Sequence, residues 1–307
     1  MICSGAAPDY PRCRMTLPIS RRRFLRGAAV ACTLPALPWS GTLRAAAFPT
    51  SPRHDFPLVD FHVHLDNSTI DTVLELSRER GVKFGIVEHA GTKANVYPVV
   101  LSNDAELQRY LAMLDGKPAF KGIQTEWTDW MGCFSREALA QLDYVLTDAM
   151  TFPGKAGRRV KLWEPDAASR VDMNDREAFM ERYVDWYVEI MATQPIDVLA
   201  NVSWLPAGMG EQWETFWTLA RMQKVIEAAL KYRVALEISS RYKLPKLPFL
   251  KLAKAAGAKF TFGSNGRYPD MGKLDYCLLM GEQLELKATD MFQPAPEGQK
   301  AVQRRKY

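Results

Sequence analysis

Seven short apolar runs alternate with amphipathic segments from residue 55 onward, and this alternation constrains the fold more than any other feature of the chain. Near-continuous apolar runs of this length are typical of strands that are covered on both faces. The runs are PLVDFHVH (57–64), VKFGIVEH (82–89), AFKGIQTEW (119–127), DYVLTDAM (143–150), IDVLANVSW (196–204), VALEISS (234–240) and KFTFGSN (259–265). Parallel strands need crossover connections, so strands separated by helices predict an α/β fold with a parallel sheet.

The segments between the runs carry helix signals. The first of them has a candidate N-cap at Ser68 and a stop at Gly81, and residues 103–116 repeat that pattern. Residues 174–194 predict a longer helix, because their apolar residues recur at helical spacing. Residues 151–173 form a long excursion between two strands, which indicates a functional loop.

A polar side chain stands at the carboxyl end of every predicted strand. These residues are His62, His64, His89, Glu126, Asp148, Asn201, Ser239 and Asn265. In closed α/β barrels that end of the strands carries the active site. The pattern therefore favours a closed or nearly closed barrel over an open sheet, with its site at one rim.

The four histidines of the chain are unevenly placed. His62 and His64 are two residues apart on one strand, so both rings point to the same side. His89 ends the next strand, and only His54, in the linker, lies outside the group. Imidazoles that converge on one rim can share a divalent ion. The alternative is that these polar side chains hydrogen-bond to one another and close the barrel mouth.

The order of these motifs resembles the PHP (polymerase and histidinol phosphatase) family over most of residues 55–290. The matching stretches are DFHVHLD, GIVEHAG, KGIQTEW, LDYVLTDAM, IDVLANVSW and KFTFGSNGRYPDMGKLDYCL. The resemblance implies a distorted (β/α)7 barrel that binds metal ions and in many members hydrolyses phosphate esters.

Several metal-ligand positions of that family differ in this chain. Gln124 stands where the third motif has a bridging Glu, and Met150 stands where the fourth has His. Asn201 replaces a further His, and residues 264–267 read Ser-Asn-Gly-Arg in place of Ser-Asp-x-His. A site for several metal ions is therefore not expected, whereas a single ion is.

Each predicted site residue is assigned a role. The residues predicted to bind one divalent ion, zinc, manganese or iron, are His62, His64, Glu126 and Asp148. His89 is predicted to be a general base, and Arg267 to capture an anionic group of a small-molecule substrate. The residues predicted to bind the substrate are Asn201, Asn265, Arg241 and Trp204.

The first 47 residues have the pattern of an export signal. SRRRFLR (20–26) precedes a modest apolar run, and small residues at Ala45 and Ala47 suit cleavage before Phe48. The pair Arg21 and Arg22 resembles a twin-arginine signal, which predicts the export machinery as a partner and a periplasmic or secreted location. One barrel domain is expected over residues 48–307. After cleavage only two cysteines, Cys133 and Cys277, remain, which permits at most a single disulfide.

The charge distribution argues against a nucleic-acid partner. The chain has a net charge of +5, but residues 1–47 hold seven Arg and one Asp, which leaves about −1 for the remainder. A basic binding face is therefore not indicated after the leader. The oligomeric state is left open by the sequence.

Three functions remain open. The first is an exported metal-dependent hydrolase that resembles PHP phosphoesterases and has a reduced, one-metal site. The second is a catalytically inactive barrel that binds a sugar, a polyol or another small polar ligand. An amidohydrolase-type barrel is a weaker third interpretation, because residues 90–307 contain no histidine for its later ligands.

Overall fold

A computed structural model of the chain describes residues 54–307, so the predicted leader lies outside the described residues. The strands in this range are β1 (Val59–Val63), β2 (Lys83–Ala90), β3 (Val100–Leu101), β4 (Phe120–Thr125), β5 (Tyr144–Thr147), β6 (Thr151–Pro153), β7 (Arg159–Lys161), β8 (Val198–Leu199), β9 (Ala235–Ser239) and β10 (Phe260–Gly263). Seven of them follow one another as β1, β10, β9, β8, β5, β4 and β2, and β1 pairs in parallel with both β10 and β2. The predicted seven-stranded parallel α/β barrel is confirmed.

Helices connect the barrel strands and cover the outside of the barrel. They are α1 (Ile70–Arg80), α2 (Asp104–Leu114), α3 (Arg136–Leu139), α4 (Ala167–Arg170), α5 (Arg176–Thr193), α6 (Trp213–Phe216), α7 (Leu219–Tyr232), α8 (Leu247–Ala255), α9 (Asp275–Gln283) and α10 (Ala301–Arg304). Short 3-10 helices are formed by Thr128–Gly132, Lys155–Gly157, Gly210–Gln212 and Ala288–Asp290. Within residues 54–307, every helix is too short or too polar to cross a bilayer.

Local sequence explains where the helices begin and end. Thr69, one residue after the predicted Ser68, caps α1 by accepting a hydrogen bond from the amide of Thr72 at 3.3 Å. The hydroxyl of Ser68 instead donates to the carbonyl of Leu65 at 2.8 Å. Gly81 ends α1 in the left-handed region at φ 63°, which a residue without Cβ adopts without strain.

The excursion over residues 151–173 is more ordered than a loop. It folds as the antiparallel hairpin β6–β7, which the short helix α4 follows. The two-residue strand β3 is a further addition, since it pairs with the last two residues of β2 outside the barrel circuit. Both additions lie near the carboxyl ends of the barrel strands.

Both cysteines of the described range are free thiols. Cys277 on α9 is buried, and its thiol donates to the carbonyl of Ile238 at 3.0 Å. Cys133 is half-buried and donates to the carbonyl of Asp129 at 3.4 Å. The single disulfide that the sequence permits is therefore not formed between these two residues.

The lower part of the barrel interior is packed with apolar side chains. They come from β1, β2, β5, β8 and β9 and comprise Val59, Phe61, Val87, Tyr144, Leu146, Val198, Ala200 and Ala235. The ring of Tyr144 crosses the interior, and its hydroxyl donates to the carbonyl of Phe61 at 2.8 Å. Gly85 and Gly122 make room for that ring, because a Cβ on either would lie 2.5 Å from its atoms.

An irregularity in the pairing of β1 with β2 determines the direction of the His62 side chain. Asp60 is opposite Phe84 and Val63 is opposite Ile86, so three residue steps on β1 face two on β2. A bulge of this kind turns a side chain away from strict alternation. Phe61 consequently packs in the apolar interior, and the ring of His62 also points inward, directly above it.

Replacing Gly122 by Ala tests the close contact with Tyr144. We expect the substitution to lower the free energy of unfolding by about 1–3 kcal/mol, because the tyrosine ring must move within a packed interior. Gly210→Ala is the matched control, since a Cβ there meets no atom within 4 Å. Urea unfolding should separate the two variants, and equal stabilities would contradict the packing described here.

Candidate functional site

A cavity of about 250 Å³ opens at the carboxyl ends of the barrel strands. The residues that line it are His64, His89, Tyr97, Gln124, Glu126, Asp148, Met150, Trp163, Asn201, Arg241, Tyr242, Asn265 and Arg267. Eight residues predicted for the site are among them. Two are not: His62 lies beneath the cavity floor, and Trp204 packs against the core outside the lining.

A fully buried polar layer separates the apolar interior from the cavity. His62 is its centre: its Nδ1 lies 2.7 Å from Oε1 of Glu237 and its Nε2 lies 2.9 Å from Oε1 of Gln124. The second carboxylate oxygen of Glu237 accepts the amide of Asn201 at 2.8 Å. Both ring nitrogens of His62 are thus engaged within the protein, and binding an ion through this ring would break one of these bonds.

The charge of Glu237 governs the protonation of His62. Burial lowers the pKa of His62, but the adjacent Glu237 carboxylate and the hydrogen bonds from Glu237 and Gln124 raise it by more. The net pKa lies above the usual histidine range. The imidazole therefore shares a proton with a carboxylate, which suits a structural role in this layer better than metal binding.

Three side chains directly above, His64, Asp66 and His89, could together hold a metal ion, and we call them the metal cluster. One ligand atom from each lies within 4.8 Å of the others, and all three residues are buried. Four of their atoms, both ring nitrogens of His64, Nε2 of His89 and Oδ1 of Asp66, have no hydrogen-bond partner among residues 54–307. Such groups are rarely left unsatisfied in native proteins, so this cluster fits a bound cation.

The surroundings of His64 favour its neutral form, which can bind a metal ion. Burial, followed by the charges of His62, His89 and Arg267, lowers its pKa well below the usual range. A neutral imidazole offers a lone pair to an ion, whereas a protonated one does not. The ring of His64 stacks on that of His89 with a centroid distance of 4.8 Å.

Glu126 orients His89 rather than joining the metal cluster. Its Oε1 lies 3.1 Å from Nδ1 of His89, which places a proton on Nδ1 and leaves Nε2 free to bind an ion. The other oxygen accepts the hydroxyl of Tyr97 at 2.9 Å, and the Tyr97 ring stacks on His89 at 3.6 Å. Burial raises the pKa of Glu126, but the hydrogen bond and charge of His89 bring it below the usual range.

Asp148 follows β5, which lies across the barrel from β1. Its oxygens accept the amide of Met150 at 2.9 Å and the side-chain amide of Asn201 at 3.0 Å. Burial and then the negative charge of Glu126 raise the pKa of Asp148 to about 7. A carboxyl group with that pKa can accept or release a proton near neutral pH.

Two arginines supply positive charge to the cavity. Nε of Arg267 donates to Oδ2 of Asp66 at 2.7 Å, so this guanidinium positions the only carboxylate of the metal cluster. Asn265 stands at the same rim in the left-handed region, at φ 46°. Arg241 also borders the cavity and lies over the ring of Tyr242. Both guanidinium groups are placed to meet an anionic ligand.

The site residues predicted from the sequence do not include Asp66, Glu237 or Tyr97, and Gln124 is named there only as standing in place of a ligand. Asp66 had a usable signal, because it continues the His62, His64 spacing of two residues. Gln124 and Glu237 are polar residues inside apolar strands, which also marks them, but their pairing with His62 depends on how distant strands meet. Tyr97 comes from a loop with no regular pattern, so the sequence offered no signal for it.

The buried contact between His62 and Glu237 is open to a direct test. We expect Glu237→Ala to lower the free energy of unfolding by about 3–5 kcal/mol, because it leaves a buried imidazole without its partner. Glu237→Gln keeps an oxygen for that contact and should cost less, about 1–3 kcal/mol. Glu214→Ala, at an ion pair whose carboxylate side chain is 68% exposed, is the control and should change stability little. Equal losses for Ala and Gln would contradict the hydrogen bond, and a Gln variant as stable as the unchanged protein would contradict the role of the charge.

Comparison with known proteins identifies no family for this chain. Neither a protein-family model nor a curated protein matches it. Among solved structures, dihydropyrimidinase from Brevibacillus agri has a TM-score of 0.38 at 13% identity, over 81% of this chain and 64% of that one. D-hydantoinase from a Bacillus species gives 0.36 at 13%, over 80% and 64%, and an HpcH/HpaI aldolase from Desulfitobacterium hafniense gives 0.32 at 10%, over 79% and 96%. The chain therefore spans less than two thirds of the first two proteins, and at TM-scores below 0.5 these likenesses support no inference about it.

Proposed function

We propose that this protein is an exported metal-dependent hydrolase with a one-ion site, related to the PHP phosphoesterases that its motifs resemble. The observation that carries the proposal is the metal cluster. One ligand atom each from the buried residues His64, Asp66 and His89 lies within 4.8 Å of the others, and all three residues carry atoms with no partner in the described range. Two imidazoles and one carboxylate are a ligand set typical of catalytic sites, in which a further position stays open for water or substrate.

The surroundings of the metal cluster support the same interpretation. Glu126 fixes the tautomer of His89, and Arg267 fixes Asp66, so two of the three ligands are held by charged neighbours. Zinc, manganese and iron all suit nitrogen and oxygen ligands of this kind. A bound ion would supply Lewis acidity to a phosphoryl or carbonyl oxygen.

The protein's own side chains account for substrate binding and proton transfer. Arg241 and Arg267 hold an anionic group of the substrate at the rim, since both line the cavity. Asp148, with its pKa of about 7, exchanges a proton with the reacting group. His89 acts as a ligand in this scheme, and Asp148 takes the general-base role that the sequence assigned to His89.

One observation favours a second candidate function. The cavity is lined by two asparagines and three aromatic residues, namely Asn201, Asn265, Tyr97, Trp163 and Tyr242. Amide groups beside aromatic rings also suit a sugar or a polyol. The alternative is a catalytically inactive barrel that binds such a ligand without an ion.

Metal loading of purified protein tests the first proposal. We expect about one equivalent of zinc, manganese or iron to bind after chelator treatment and reloading, and to raise the unfolding temperature. His64→Ala should weaken that binding more than about 100-fold, because it removes a ligand rather than a supporting residue. His54→Ala is the matched control, since it changes a histidine that lies outside both the metal cluster and the cavity lining. Hydrolysis of para-nitrophenyl phosphate should follow the metal content.

Three results would count against the metal site. Elemental analysis could find no ion in any loaded preparation, or His64→Ala and His54→Ala could bind it equally. Stabilisation by simple sugars that is insensitive to chelator, without hydrolysis, would favour the binding protein instead.

Export is the second part of the proposal, and it rests on the sequence of residues 20–26. We expect replacement of both Arg21 and Arg22 by Lys to retain the precursor in the cytoplasm, because twin-arginine recognition requires the pair. The same change at Arg12 and Arg14 is the control and should leave export intact. Cell fractionation followed by immunoblotting distinguishes these outcomes, and export of the double variant at the normal level would disprove the assignment.

A further inference from the structure

A second cavity lies on the opposite side of β2 from the barrel mouth. We call it the outer groove; it is bordered by residues 65–69, by residues 98–101 and by α2, and its volume is about 830 Å³. Glu88 faces it, whereas the neighbouring His89 faces the barrel interior, as the alternation along a strand requires. A volume of this size is in the range of pockets that bind small molecules.

The walls of the outer groove are mainly apolar. Leu65 and Leu101 line its inner part, and Val99 and Met113 line its rim, where they are 45% and 39% exposed. Apolar side chains that border a concave surface gain from contact with a hydrocarbon body. The groove therefore suits a ligand with an apolar part, and not a small hydrated ion alone.

An unsatisfied acid lies within these walls. Glu88 is 3% exposed, and its Oε2 has no hydrogen-bond partner in the described part of the chain. Asp66, which closes the groove on the side of the metal cluster, has an equally unpartnered Oδ1. A buried carboxyl oxygen without a donor is costly, so a complementary ligand would bring a donor to it.

The lysine and arginine side chains near the outer groove do not pair with Glu88. Lys93 is 2.8 Å from Glu106 and also donates to the carbonyl of Val100, and Arg267 is engaged with Asp66. Arg109 stands at the exposed edge, where water screens its charge. Within residues 54–307, Glu88 takes part in no ion pair.

We propose that the outer groove is a binding site for a primary amine with an apolar body. The ammonium group donates to Glu88, and the hydrocarbon part lies against Leu65, Leu101 and Val99. An ammonium group suits this position because it offers donors and a positive charge to Glu88, which takes part in no ion pair in the described range. This site is separate from the cavity at the barrel mouth.

Isothermal titration of chelator-treated protein tests the site independently of any metal. The probe is phenethylamine, and its neutral counterpart is phenethyl alcohol. We expect the amine to bind with a stoichiometry of about one, and the alcohol to bind at least roughly tenfold more weakly, because it cannot form a charge-assisted hydrogen bond. Glu88→Gln should weaken amine binding by a similar factor.

Two further variants locate the binding and protect the test against misfolding. Val99→Trp changes an exposed rim residue, so it should fold normally while filling the groove and weakening amine binding roughly tenfold. Glu214→Gln, at a distant surface ion pair, should bind the amine as the unchanged protein does. The proposal is overturned if the amine does not bind, if the alcohol binds equally well, or if Val99→Trp retains full affinity.

Discussion

The contact between His62 and Glu237 is the constraint on which the architecture of the barrel mouth depends. One carboxylate on β9 holds an imidazole on β1 and the backbone amide of Asn201 after β8, so three strands are fixed at the same height. Gly263 on β10 makes room for it, because a Cβ there would fall on the Glu237 carboxylate. A network of this kind is stable in a dry interior only when every member has a partner. It is complete here, and it forms a rigid floor for the cavity.

His62 belongs to that floor and His64 lies above it, and the two rings therefore differ in their hydrogen-bond partners. His62 is enclosed and has both nitrogens engaged, whereas His64, one layer higher on the same strand, has neither engaged in the described structure. Both are buried, so exposure does not explain the difference. The polar groups of the floor have partners within the protein, whereas both ring nitrogens of His64, Nε2 of His89 and Oδ1 of Asp66 have none in the described range. This step from a satisfied to an unsatisfied layer is the physical reason for placing an ion above His64 and not beside His62.

Much of this arrangement was predictable from the sequence. All seven barrel strands, and the gathering of His64, His89, Glu126 and Asp148 at one rim, follow from periodicity and parallel topology. Strand lengths were less predictable. The run at 196–204 forms only the short strand Val198–Leu199, because Asn201 turns the backbone into the left-handed region at φ 49°.

The different roles of His62 and His64 could not be predicted from the sequence. A spacing of two residues places His62 and His64 on one face, but it contains no information about which of them meets Glu237. That contact joins residues 175 positions apart and depends on the bulge in β1. Tyr97 likewise reaches His89 from an irregular loop. Patterns along the chain predict which side a residue faces, whereas the partner it finds there is set by packing between distant strands.

At two positions where this chain departs from the PHP motifs that it resembles, the replacement residue has defined partners in the structure. Gln124 and Asn201 stand where ligands are expected, and each has a defined use: the first bonds His62 and Glu126, and the second bonds Asp148. Neutral amides therefore hold the remaining acids in place without adding charge. Removing ligands alone would have left Glu126 and Asp148 as two buried carboxylates with fewer donors. Because the amides supply those donors, Glu126 and Asp148 stay hydrogen-bonded beside the metal cluster.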